Sequence, residues 1–72
     1  MSLRQSFAAN LKRERIALGL SQKALAHVTG VHRTFIGSVE RGESNITIDN
    51  IEKLARALKI EPAELFEMFE KG

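Results

Sequence analysis

Cysteine is absent from this chain, proline occurs once, and no apolar stretch approaches the roughly 18 residues of a membrane span. Without cysteine no disulfide can staple the fold and no thiolate can hold a metal. His27 and His32, five residues apart, lack the further ligands a metal's coordination sphere needs, so neither a metal nor any other cofactor is expected. Met1 to Leu20 is interrupted by Arg4, Asn10, Lys12, Arg13 and Arg15, which argues against a signal peptide. A cytoplasmic location with no membrane partner is therefore the expectation. No G-x-G-x-x-G or P-loop occurs, and the Ser, His and acidic residues do not group as a nucleophile with its base. An enzyme is not expected, and so small a chain leaves little room for a small-molecule pocket.

What the chain does have is enough apolar residue for one core: 43% of 72 residues, beside 28% charged. That length cannot build a second core, and a domain of this size buries only about 60% of its unfolded surface. One domain that gains stability by dimerising is expected. The net charge of +2 conceals a division at Gly42. Residues 1–42 carry seven basic and two acidic side chains, a net of +5, whereas residues 43–72 carry four and seven, a net of −3. Such polarity suits a polyanion on one face, although ordinary scatter of surface charge is the other reading.

Apolar spacing is helical almost throughout and a period of two nowhere persists, which predicts an all-α fold of five short helices. A first helix from about Leu3 to Leu18 carries Phe7, Ala8, Ala9, Leu11 and Leu18 on one stripe, with Ser2 as cap and Gly19 as stop. Ser21 caps a second, from Gln22 to about Val28, whose Ala24, Leu25 and Val28 can face inward. A third runs from His32 or Arg33 to Arg41 with Ile36 and Val39 buried. Thr47 caps a fourth, in which Ile48, Ile51, Leu54, Ala55 and Leu58 recur at i, i+3 and i+4 and Lys59 stands at the end. Pro62 opens a fifth that reaches about Phe69, with Glu61 and Glu64 near its positive end.

Between the second and third helices the requirements are specific. Ala24 and Ala26 permit close approach, Gly30 can take the φ > 0 of a tight turn, and Val31, Ile36 and Val39 seal the wedge. This is the layout of a helix-turn-helix at about residues 21–41. Leu20-Ser21-Gln22, Leu25-Ala26, Gly30-Val31, Ile36, Glu40-Arg41-Gly42, Leu54-Ala55 and Ala57-Leu58 together resemble the Cro/cI-type (XRE) helix-turn-helix family of phage and bacterial regulators, over nearly the whole chain. Arg33-Thr34-Phe35-Ile36, Glu40-Arg41-Gly42 and Asn45-Ile46-Thr47-Ile48 are most similar to the small controller proteins of restriction-modification systems, a narrower match partly shared by phage repressors and antitoxins. The resemblance implies a compact five-helix, lambda-repressor-like DNA-binding domain. It also implies a sequence-specific transcriptional regulator whose partner is double-stranded DNA carrying a palindromic operator.

Residue roles follow from the same resemblance. Gln22 matches a position that holds a DNA phosphate, and Asn45 one that touches backbone phosphate. Arg33, Thr34 and Ser38 occupy base-reading positions, with His32 and Phe35 at their margin and candidates for the DNA backbone. An Arg at the start of a helix in the major groove can donate two bonds to guanine, and Thr offers a hydroxyl and a methyl. Phe35 lies either against sugar and thymine methyls or under the neighbouring helix; Arg41 pairs either with phosphate or with Glu43. Gly37 departs from the polar residue usual in controller relatives. Arg15 and Glu40 correspond to a partly buried ion pair that ties the first helix to the third.

The last helix has more apolar surface than one stripe needs. Leu65 is expected in the core, while Phe66, Met68 and Phe69 make residues 62–69 a candidate dimerisation helix, as the resemblance also implies; closure of the core by Phe69 is the alternative. A homodimer sets two reading helices about 34 Å apart on a palindrome, with the acidic half turned away from DNA or across the dimer and a tetramer on paired sites left open. The competing functional reading is a phage-type repressor, or an antitoxin-like protein-interaction module on the same fold.

Overall fold

The computed structural model describes residues 2–68. Four α-helices, α1 (Leu3–Ala17), α2 (Gln22–Thr29), α3 (Arg33–Glu40) and α4 (Ile48–Leu58), are followed by a 3-10 turn, Pro62–Phe66. No strand occurs among the described residues. Three of the helices start on the hydroxyl that the sequence supplies. Ser2 Oγ accepts the Gln5 N–H at 3.1 Å while the Gln5 side chain returns to the Ser2 N–H, Ser21 Oγ accepts from Ala24 N–H at 2.9 Å, and Thr47 Oγ1 accepts from Asn50 N–H at 3.1 Å. α3 begins at His32 without a side-chain cap. The turn before it needs a left-handed residue, and Gly30 supplies it at φ 73° with its N–H on the Ala26 carbonyl.

Each helix and the turn contribute one of the largest fully buried side chains: Leu11, Leu25, Ile36, Leu54 and Leu65. Around them lie Phe7, Val31, Val39, Ala55 and Leu58. α1 packs on α3 and on the 3-10 turn, α2 on α3 and α4, and α4 on the turn. The two helices of the helix-turn-helix are thereby bedded on a common core rather than on each other alone.

Four expectations are corrected. The fifth helix is a 3-10 turn that stops at Phe66, after which Glu67 is extended (φ −64°, ψ 131°). Asn10, a buried residue of α1, pins the segment in this form: its Nδ2 donates to the carbonyls of Leu65 at 3.0 Å and of the extended Glu67 at 2.7 Å. Phe69 lies outside the described residues. Leu18 is exposed because α1 ends at Ala17 and the reversal through Gly19 brings Leu20 onto the core instead. Val28 is exposed because the inward face of α2 is set by Leu25, Ala26 and Thr29, from which Val28 is rotated by about a quarter-turn or more. Ile48 is 83% exposed. As the first residue of α4 its side chain leans toward the helix N-terminus, past the last element that could cover it.

Candidate nucleic-acid interface

α3 has eight residues and is about 12 Å long. Ile36 and Val39 are sunk in the core, which fixes the helix on its bed and turns the opposite face out. At about 100° per residue, Arg33, Thr34, Gly37, Ser38 and Arg41 share that outward arc. Arg33 and Thr34 are exposed, and the Arg33 guanidinium makes no hydrogen bond or ion pair with any described residue. Ser38 is half-buried: its hydroxyl is hydrogen-bonded to that of Ser44, and its carbonyl accepts from Glu43 N–H at 3.0 Å, so the loop after α3 is tied to the helix it leaves. Hydroxyl capacity remains on Ser38 for an outside group.

Phe35 is half-buried, with its ring packed against the core. It also lines a shallow concavity with Gly30, Val31, His32, Asn50 and Lys53. Asn50 and Lys53 therefore bring α4, part of the acidic half, beside the start of α3. Sequence reasoning passed over both, because the charge count of a segment does not tell where one lysine points.

Beneath this face lies a closed ionic network. Arg15 donates from Nε to Glu40 Oε2 at 2.7 Å, from Nη2 to Glu40 Oε1 at 3.0 Å and from Nη1 to the Leu20 carbonyl at 2.8 Å. Gln22, the first residue of α2, donates from Nε2 to Glu40 Oε1 at 3.2 Å. The Arg15 and Glu40 side chains are only 10% and 3% exposed. The hydrogen bond to Glu40 raises the Arg15 pKa against the opposing effect of burial, and the guanidinium stays charged at physiological pH. One carboxylate thus joins α1, α2 and α3 and aims the Gln22 amide.

Two flanking groups complete the surface. Asn45 is exposed and its Oδ1 accepts from Ile46 N–H at 3.0 Å, which leaves the amide NH2 outward. Arg41 donates from Nε to Glu43 Oε1 at 3.0 Å in an exposed pair, weak enough to be exchanged for a phosphate. His32 is exposed at the head of α3. Phe66 is half-buried, its ring 5.1 Å from that of Phe7 and tilted by 50°, while Met68 is 55% exposed. Among the described residues no three His, Cys, Asp or Glu side chains gather as a metal site, and no helix is long and apolar enough to cross a membrane.

Two short helices packed on each other through the tight turn at Gly30, the second presented outward, define a helix-turn-helix protein. The chain belongs to the Helix-turn-helix family, whose model matches residues 11–65. It is 45% identical over 58 residues to the control protein C.SmaI of Serratia marcescens, covering 81% of this chain and 69% of that one. The crystal structure of the restriction-modification controller protein C.AhdI from Aeromonas hydrophila is 49% identical, with a TM-score of 0.85 over 88% of this chain and 96% of that one. A second controller protein, C.Esp1396I, solved as a tetramer in complex with its natural 35 base-pair operator, is 27% identical with a TM-score of 0.82, over 92% of this chain and 87% of that one.

Proposed function

We propose that this protein is a restriction-modification controller: a cytoplasmic, non-enzymatic transcriptional regulator that binds a palindromic DNA operator as a homodimer. The observation that carries the reading is the contrast between Arg15 of α1, matched by Glu40 of α3, and Arg33 at the head of α3, which has no partner among the described residues. A guanidinium held at the head of an exposed helix is placed to donate two bonds to guanine O6 and N7. Thr34 and Ser38 read beside it, and Gln22, His32, Phe35, Arg41 and Asn45 hold the backbone on either flank. The fold is the lambda-repressor-like arrangement with its last helix reduced to a 3-10 turn.

An eight-residue helix spans only three or four base pairs at about 3.4 Å each, too few to single out an operator. A second copy supplies the other half-site, and the exposed Met68 and half-buried Phe66 support a contact between copies through residues 62–69. Two such dimers on paired sites would form a tetramer of the kind solved for C.Esp1396I.

Selection of binding sites from random duplex DNA tests this directly. Enrichment of a two-fold symmetric site, with affinity that falls steeply as salt rises, is the expected result. Binding that enriches no palindrome and does not respond to salt would overturn it.

A further inference from the structure

Gly30 has a positive φ, and a methyl group added there would meet nothing within 4 Å. Gly37 is the reverse case. Its backbone is ordinary helix, which gains nothing from glycine, and glycine is among the poorest helix formers. What glycine gives at this position is space. A methyl group at residue 37 would stand 3.3 Å from Arg41 Nη1, 3.3 Å from Gln22 Oε1 and 3.9 Å from Gln22 Cδ, the first two closer than ordinary van der Waals contact. The residue lies on the outward arc of α3, yet it is buried, covered by the side chains of Gln22 and Arg41.

We propose that Gly37 is a positioning residue for DNA binding: its missing side chain leaves a notch on the outward face of α3 in which Gln22 and Arg41 lie side by side and act together on the DNA backbone. Each is held from its far side by a carboxylate, Gln22 by Glu40 at 3.2 Å and Arg41 by Glu43 at 3.0 Å. The notch leaves room for both on the other side. An amide from the start of α2 and a guanidinium from the end of α3 are thereby brought to one place, although 19 positions separate them in the sequence. This inference rests on the DNA-binding reading above and adds to it a residue that itself touches no phosphate.

Its test is Gly37→Ala, titrated with a short random-sequence duplex across a salt series, since phosphate contacts act on any sequence. The crowded atoms are ends of flexible side chains and alanine is the better helix former, so the melting temperature should equal or exceed that of the wild type. Affinity should nevertheless fall about threefold to tenfold, and the slope of log K against log salt should shrink by about one. In a Gln22→Ala/Arg41→Ala background the same change should cost nothing more, because the groups it displaces are gone. An unchanged affinity and slope, an equal loss in both backgrounds, or a lowered melting temperature would each overturn the inference. A wild-type affinity indifferent to salt would overturn it together with the DNA reading, whereas a salt-dependent wild type with an unaffected Gly37→Ala overturns this inference alone.

Discussion

In residues 1–42 the buried charges are matched inside the fold, and the cation at the head of α3 is exposed with no partner among the described residues. Arg15 and Gln22 both donate to Glu40, joining α1, α2 and α3, while the exposed cation is Arg33. Residues 43–68 are built otherwise. Asp49, Glu52, Glu61, Glu64 and Glu67 are all exposed, and the buried polar anchor of the chain's end, Asn10, comes from α1 in the other half. A region that presents charge to a ligand must hold its scaffold charges in fixed, neutralised positions, because an unpaired charge inside is costly. The far region carries its charge in water and needs only to be pinned.

Breaking the matched network should have the largest effect. Glu40→Ala strands the Arg15 guanidinium and should cost about 3 to 5 kcal/mol in urea denaturation. Arg15→Met combined with Glu40→Leu should restore most of that stability yet leave Gln22 unheld, so DNA affinity should stay low. Recovery of both together would show that the network serves stability alone. Next comes the pin: Asn10→Ala leaves two carbonyls without their donor and should cost about 2 to 3 kcal/mol by the same measurement. A cost near zero would mean that the 3-10 turn is held by apolar packing instead.

On the exposed end of the far region, Met68→Asp should weaken self-association about tenfold, read by sedimentation, as burial of a methionine contributes roughly 1.5 kcal/mol or more. Unchanged mass would remove this end of the chain from the interface. The smallest change is at the end of α4, where Lys59 adopts φ 59° and ψ 40°. Lys59→Gly relieves the clash of its Cβ in that conformation and should raise stability by less than about 1 kcal/mol, leaving DNA binding untouched.

Much of the fold was legible because it depends on neighbours in sequence. The caps at Ser2, Ser21 and Thr47, the turn at Gly30, and the burial of Leu11, Leu25, Ile36 and Leu54 follow from local spacing. Arg15 and Glu40 are 25 positions apart, and only the family resemblance suggested that they meet. What escaped was set by tertiary geometry. Asn10 lies on the same stripe as Phe7 and Leu11, and a polar residue there was a signal, but nothing local says which carbonyls it takes. The shift of the core from Leu18 to Leu20 depends on how the chain reverses at Gly19. Lys53 beside His32, and the crowding around Gly37, exist only once α4, α2 and α3 are packed.

The proposed function divides the labour on one face, with Arg33 reading base and Gln22 holding phosphate. Titrating Arg33→Ala and Gln22→Ala against both a selected palindrome and a random-sequence duplex measures that division directly. Arg33→Ala should lose about 1 to 3 kcal/mol per half-site on the palindrome and far less on random DNA, while Gln22→Ala should lose equally on both with a salt slope smaller by about one. An equal loss on both duplexes for Arg33→Ala would contradict the account, because it would make Arg33 one more phosphate contact and leave the reading helix without its reader.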